Sequence, residues 1–430
     1  MKTAAIIEGL GMETAKATPP VYVDAFAGCG GLSLGLDRAG WSGLFAIEKD
    51  ESAFQTLQEN FLGDASRYRY TWPDWLEKKP WTVEALLSEH IEQLRQLSGK
   101  VDLLAGGPPC QGFSSAGRRK ADDPRNALVE RYLELVDVLK PRLILLENVK
   151  GFTQDFKANT KNGRSARENV AAQITRRLSA SYHVQSILLK ASDYGVPQAR
   201  PRFILVGVRI DSDLSDSPLD LLDQTRDEVL RSLNLPLKST ASDALSDLEI
   251  GRNPLINCPD SKGFEAIGYV GPLTPFQRWC RDGSDTPPSS TRLANHRAPI
   301  RERFAEIIEM CREQQRSTRS LSQAMRDQFG LKKLATRVLD PKEPSPTVTS
   351  MPDDLIHYSE PRTLTVRENA RLQTFPDWFK FCGKYTTGGL RRRVEVPRFT
   401  QVANAVPPLL AQILGTRLIR HLNRPPMDGQ

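Results

Sequence analysis

The stretch AGGPPCQGFSSAG, residues 105–117, sets a cysteine behind an apolar run, two glycines and two prolines. Prolines fix the backbone, whereas Gly112 and Gly117 leave the following segment free to move. Cys110 therefore stands at a rigid strand end, where a thiolate serves as a nucleophile. Cys29 sits inside a glycine-rich turn and reads instead as a small buried hydrophobe. That turn, DAFAGCGGLSLG at 24–35, ends an apolar run in Gly-x-Gly-Gly and opens a helix, which brings backbone close to a ligand. Ser33 occupies the third position of the dinucleotide fingerprint G-x-G-x-x-G/A, a departure that argues against NAD. Glu48 ends the next apolar run, where a carboxylate accepts hydrogen bonds from both hydroxyls of a ribose. Turn and glutamate together point to a nucleoside cofactor. In LILLENVKGF, residues 143–152, Glu147 and Asn148 close another apolar run. A glutamate beside a buried nucleophile is biased toward its protonated form and can supply a proton. In DYGVPQARPRF, residues 193–203, Arg200 and Arg202 alternate, so they share one strand face and can clamp a phosphate or a nucleobase carbonyl.

The elements that must position these residues are visible as apolar runs. VYVDAFA at 21–27, LFAIEKD, VDLLAGG at 101–107, LILLENV at 143–149, VQSILLK at 184–190 and RFILVGVR at 202–209 read as strands. LSLGLDRAG reads as a helix closed by glycine, and 52–62, 126–140 and 165–180 have helical periodicity. Continuous apolar strands alternating with helices predict an α/β fold with a mostly parallel sheet covered on both faces. Glu147, Cys110 and the glycine turn would then meet at the carboxyl edge of that sheet, where open α/β sheets bind ligands. The spacing predicts an N-terminal extension at 1–20, a catalytic and cofactor-binding domain at 21–210, a smaller irregular domain at 211–395 and a segment at 396–430 that returns to the first. Within the second domain, PIRERFAEIIEMCREQQR predicts a charged helix, and QVANAVPPLLAQILGTRLIRHL predicts a closing helix.

Composition excludes several classes. The six cysteines are scattered without a CxxC pair or zinc spacing, so a disulfide scaffold and a metal site are not expected. No apolar run approaches the roughly 20 residues of a membrane span, and the N-terminus is a poor signal peptide, so a cytoplasmic protein is expected. Lys and Arg number 59 against 52 Asp and Glu, a net charge of +7. The sign is uneven: 211–270 is net −7, 271–340 net +5, and 361–403 net +6, including Arg391-Arg392-Arg393. The two basic segments suit a polyanion.

Taken in order, DAFAGCGG, Glu48, GPPCQGFS, ENV, QARPR, RENARLQTFPDWF and QVANAVPPLL resemble the DNA (cytosine-5) methyltransferase family over residues 21 to about 415. The resemblance implies a Rossmann-like fold dependent on S-adenosylmethionine, with a target-recognition domain in the irregular region. It implies a cofactor site at Phe26, Gly28, Gly30, Gly31, Glu48 and Leu128, closed by Asn404, Ala405 and Val406. It implies Cys110, Glu147, Arg200 and Arg202 as the catalytic set, acting on a cytosine flipped out of duplex DNA. A bacterial or phage modification enzyme is implied, monomeric, with any cognate restriction endonuclease on a separate chain. Two departures are visible. Lys49 follows Glu48, where the family often places an aromatic residue, and Asp74 is the candidate partner for the adenine amine. A tRNA cytosine-5 methyltransferase is a rival on the same scaffold, but its Cys-Phe-Thr signature is absent. A non-catalytic DNA-binding regulator is a second rival, opposed by the intact Cys110, Glu147 and Arg202.

Overall fold

The computed structural model describes residues 18–109, 126–154, 156–157, 167–214, 217–387 and 395–423. Six strands form the central sheet: β1 (Val21–Ala25), β2 (Ser42–Ile47), β3 (Leu103–Gly106), β4 (Leu143–Val149), β5 (Tyr182–Lys190) and β6 (Pro201–Arg209). Their order is β2-β1-β3-β4-β6-β5. Strands β1 to β4 are mutually parallel, and only β6 runs against its neighbours β4 and β5. This is the mostly parallel α/β sheet that the apolar runs predict. The four residues of β3 and the first six of β4 are buried, as strands covered on both faces require.

Helix α1 (Gly31–Ala39) starts at the glycine turn and stops at Gly40, whose φ of 100° is the left-handed cap that glycine supplies. Helix α2 (Glu51–Phe61) is capped by Asp50, whose carboxylate accepts from Ala53 N. The predicted closing helix is two helices, α3 (Arg398–Asn404) and α4 (Pro408–Leu422), separated by an extended residue at Ala405. Pro407 and Pro408 account for the break: proline disfavours helical backbone in the residue before it and lacks the N–H an interior turn needs. Helix α4 then packs along α1, and Trp41 Nε1 donates to the Gly415 carbonyl at 3.0 Å. The stretch Arg398–Leu422 is apolar enough to match a membrane span in composition, yet it lies mostly buried within the fold.

The region 211–300 carries more regular structure than its composition suggests, including helices Leu222–Ser232, Ala241–Leu245 and Pro275–Arg281. Two of them open with capping boxes, Thr240 with Asp243 and Thr274 with Gln277. Leu222, Val229, Leu230, Leu245, Phe276 and Cys280 join the main core rather than a separate one. Among the described residues, a distinct small core forms where helices Ala298–Glu313 and Gln323–Gln328 meet Val338 and Ile356.

The charge segments also resolve differently from a simple polyanion surface. Arg362, Arg367 and Arg371 of the basic 361–403 stretch are buried. Arg371 pairs with Asp247, and Arg398 with Asp260, so this stretch is partly neutralised by the acidic 211–270 stretch. Arg391, Arg392 and Arg393 lie outside the described residues.

Gly35 tests the α1–α4 contact. An added Cβ would lie 2.3 Å from Ala411 Cβ and 2.5 Å from the Pro408 carbonyl oxygen. Gly35→Ala is expected to cost roughly 1–3 kcal/mol, as overpacking does, read as a lower urea midpoint with unchanged helical circular dichroism. An unchanged midpoint would show that the two helices have room to part.

Candidate functional site

Because β1 to β4 are parallel, the segments that follow them emerge at one edge of the sheet. Phe26 to Gly28, Glu48 to Asp50, Gly107 to Pro109 and Glu147 to Val149 line a single cleft of about 1520 Å³. Leu128 reaches it from helix Asn126–Leu139, and Asn404, Ala405 and Val406 from the break between α3 and α4. Strand β6 begins at this edge because it runs the other way, and Arg202 there sits opposite Val149. Ser350, Met351, Pro352 and Asp353 complete part of the wall. Of the sequence-predicted cofactor residues, Gly30 and Gly31 do not line the cleft. A Cβ on Gly30 would lie 2.5 Å from the Phe61 ring, and one on Gly31 would lie 2.5 Å from the Val406 carbonyl oxygen. These two glycines permit close packing behind the turn, whereas a Cβ on Gly28 would meet nothing within 4 Å.

The turn is strained where it faces the cleft. Phe26 has a φ of 63°, a left-handed conformation that a bulky residue adopts only when its surroundings enforce it. Glu48 is one such constraint. Its carboxylate accepts from Gly28 N at 2.9 Å and from Asp50 N at 2.7 Å, tying the end of β2 to the turn. Burial pushes the Glu48 carboxyl up, and the backbone donors pull against that shift. Trp81 also lines the cleft, and its backbone N–H donates to the Glu48 carbonyl at 2.8 Å. No motif marked Trp81; the nearest signal is Thr82, which caps helix Val83–Glu89. Asp74 is exposed and does not line the cleft.

Cys110 lies outside the described residues, but the chain leading to it is held firmly. Asn148 Nδ2 donates to the Pro108 carbonyl at 3.0 Å, and Asn148 Oδ1 accepts from Val149 N at 2.8 Å. Asn148 was read only as part of a motif; here it fixes the Pro-Pro approach to Cys110. Gly107 allows β3 to exit beside Glu147, since a Cβ there would lie 3.2 Å from a Glu147 carboxylate oxygen. Glu147 and Arg202 form an ion pair with both side chains nearly buried. Burial pulls the Arg202 guanidinium down, opposed by the Glu147 charge.

Arg200 is 4% exposed and engaged elsewhere. Its guanidinium donates to the Val348 carbonyl at 3.2 Å and to the Ala403 carbonyl. Burial, then the adjacent Arg202 charge, pull it well below the usual arginine range. Arg200 thus lines the cleft while joining the strand Ser345–Pro346 region to α3. Gln198, fully buried, accepts from Val348 N at 3.0 Å and donates to Gln373 Oε1 at 2.9 Å. Gln373 in turn donates to the Val402 and Ala405 carbonyls at 2.8 and 3.2 Å. The wall that carries Asn404 to Val406 is therefore hung from side-chain amides and Arg200. No group of three or more His, Cys, Asp or Glu among the described residues has metal-binding geometry.

Comparison with known proteins agrees with this architecture. A family model described as C-5 cytosine-specific DNA methylase matches residues 21–420. The Type II methyltransferase M.DdeI of Desulfomicrobium norvegicum is 31% identical, over 92% of this chain and 88% of that protein. The Type II methyltransferase M.XorII of Xanthomonas oryzae pv. oryzae is 28% identical, over 95% and 87%. Among solved structures, a DNA modification methyltransferase encoded within a prophage of E. coli is similar with a TM-score of 0.64. It is 28% identical, with 94% of this chain and 100% of that one covered.

The Arg200 contacts can be tested apart from any activity. A lysine places one ammonium where Arg200 reaches two carbonyls, so Arg200→Lys is expected to lose about 1–3 kcal/mol of stability. Amide exchange at 402–406 should quicken with it. Wild-type stability and exchange in Arg200→Lys would show that these bonds do not hold the wall.

Proposed function

The chain belongs to the C-5 cytosine-specific DNA methylase family and is a DNA cytosine-5 methyltransferase, and from that premise we propose how its cleft performs the reaction. S-adenosylmethionine, when bound, supplies a methyl group activated on a sulfonium. Residues of the cleft fit such a group: Gly28 leaves backbone open to it, and Glu48 stands at the end of β2, where a ribose is bound in related folds. Phe26, Leu128, Trp81 and Asn404 to Val406 provide its walls.

Cys110 is the nucleophile. Its thiolate adds to C6 of cytosine, and the ring electrons shift to make C5 an enamine carbon able to accept the methyl group. Loss of the C5 proton then re-forms the 5,6 double bond and expels Cys110. In its protonated form Glu147 donates to N3, and its other oxygen accepts from the exocyclic amine, so the charge that builds on the ring is taken up by the Glu147 proton. Arg202, paired with Glu147, serves the O2 side and fixes the orientation of the carboxyl group. Arg200 acts through the backbone it holds, as a positioning residue. Asn148 sets the direction from which Cys110 approaches. The cytosine is rotated out of duplex DNA to reach this cleft, since C6 is inaccessible in a stacked pair. Target recognition falls to the 211–395 region, with the small core at Ala298–Glu313 and Gln323–Gln328 as its independent part. Its biological role is modification of host DNA against an endonuclease on another chain, as in the systems of its Type II relatives.

The observation that carries this reading is the meeting of Glu48, the Glu147–Arg202 pair and the Pro108-Pro109 approach at one sheet edge. Incubation with methyl-labelled S-adenosylmethionine and either duplex DNA or tRNA tests it: label is expected on DNA. Label on tRNA alone, or on neither, would overturn it. Cys110→Ser is expected to lower transfer on the order of a thousandfold or more while S-adenosylmethionine binding stays within about threefold. Near-normal turnover in that variant would sink the covalent route.

A further inference from the structure

The small core of helices Ala298–Glu313 and Gln323–Gln328 carries one loop to the rim of the cleft. Gly330, with a φ of 62°, turns the chain out of the second helix. Phe329 and Leu331 pack against the small core, and Thr336 on the far side of the loop is buried. Arg337 and Val338 then pair with Leu355 and Ile356. The stretch from Lys332 to Ala335 thus spans two fixed ends. Lys333 pins its middle, since the ammonium ion-pairs with Asp353 at 2.9 Å and with Asp354 at 2.5 Å. Asp353 lines the cleft with its side chain 59% exposed, which places it at the rim. Asp354 also accepts from Thr349 Oγ1. The next residue after Lys333, Leu334, is 67% exposed; among the described large hydrophobic residues only Val270 is more so.

Single exposed apolar residues are ordinary on a protein surface, so exposure alone assigns nothing. Position does. A base that enters the cleft leaves a duplex lying across its mouth, and Leu334 is one residue from the ion pair at that mouth. Residues 326–342 hold five Lys and Arg against two Asp, so the surroundings attract a polyanion. Cations there contact phosphates and set register without reading sequence. A leucine side chain has no donor or acceptor for a base edge. The apolar group that base edges present is the C5 methyl of thymine, in the major groove. We infer that Leu334 is a specificity-determining residue that packs on a thymine methyl of the target sequence, held in place by the Lys333 ion pairs. This rests on the proposed transfer to a cytosine flipped out of duplex DNA, and it adds a second base to what the enzyme reads.

Bisulfite sequencing of DNA from cells expressing the full chain locates the methylated site. The kcat/KM is then measured on duplexes in which each thymine of the site and its flanks is replaced in turn by uracil, which lacks only the methyl group. For wild type, replacement at one position should lower kcat/KM about three- to tenfold, with little effect elsewhere. Leu334→Ala removes no core packing, because the side chain is exposed. It should lower kcat/KM on the thymine duplex by a similar factor and then respond to uracil by less than about twofold, as two halves of one contact do. The salt dependence of its DNA binding should match wild type, since no phosphate contact is lost. Lys333→Gln should blunt the uracil effect, and Lys333→Arg should keep it. Absence of any uracil-sensitive position for wild type would overturn this inference and leave methyl transfer to DNA standing. So would a Leu334→Ala variant that keeps the full uracil effect; a uniform loss of that kind would mark a residue filling the space the cytosine leaves. Transfer by wild type to no duplex DNA would overturn both readings.

Discussion

Every residue of the helix Val366–Leu372 is buried, although three of the seven are charged. Taking an ion out of water costs several kcal/mol unless its partners are fully in place, and that requirement organises the second half of the chain. Arg371 lies between Asp247 and Asp377. Glu368 receives both arms of Arg362 at 2.8 Å and also closes a capping box with Thr365. Arg367 forms no ion pair among the described residues and donates to the carbonyls of Ser289, Pro376 and Phe379. Two distant stretches, at Asp247 and Ser289, and both segments flanking the helix are thereby fixed around it. The residue just past it, Gln373, passes that order to Gln198 and to the Val402–Ala405 wall. Ionic networks of this kind add little net stability compared with apolar packing; here they specify which segments meet.

The cleft reverses that economy of charge. Away from it, Arg371 and Arg362 are matched by buried acids, and Arg367 by backbone carbonyls. Inside it, Glu147 is matched by Arg202, Glu48 is held by backbone N–H groups, and Asp24 is held by the hydroxyl and backbone of Ser33. Acids without an ion-pair partner among the described residues, Asp24 and Glu48, lie on the side of the cleft formed by β1 and β2. The side formed by β4 and β6 is neutralised and hydrogen-bonded, which suits a surface that must orient a planar base. One sheet edge thus presents two electrostatic characters a few residues apart in register.

Much of this was legible in the sequence because parallel strands announce themselves as continuous apolar runs, and their ends fall where glycine, proline and acid interrupt them. Gly28, Glu48 and Glu147 stand at such ends, Arg202 alternates with Arg200, and Phe26 follows from the resemblance to the family; all five line one cleft. Gly30 and Gly31 belong to the same motif but serve packing against Phe61 and Val406, a distinction that only three-dimensional contact reveals. Trp81 and Asp24 carry no separable pattern: one sits in a loop, and the other is a strand acid whose partners come from Ser33 and Tyr70. The split of the closing helix was readable in Pro407-Pro408, and helices Ala241–Leu245 and Pro275–Arg281 in their threonine caps. The sign-alternating charge segments misled for a physical reason. Opposite charges in one chain can neutralise each other across the fold, and composition does not record which do.

The packing of Gly31 beneath the Val406 carbonyl has a bearing on how the molecule comes into being. The wall at Phe26 to Gly28 is made well before the wall at Asn404 to Val406. At about 5–20 residues per second, tens of seconds separate the two. Throughout that interval the apolar face of α1 has no α4 to cover it, and the glycine turn has no roof. Until Val406 and α4 are made, the cleft of a nascent chain lacks one wall and the apolar face of α1 is uncovered. The segment Arg398–Leu422 is thus the timing element for the closure of this cleft.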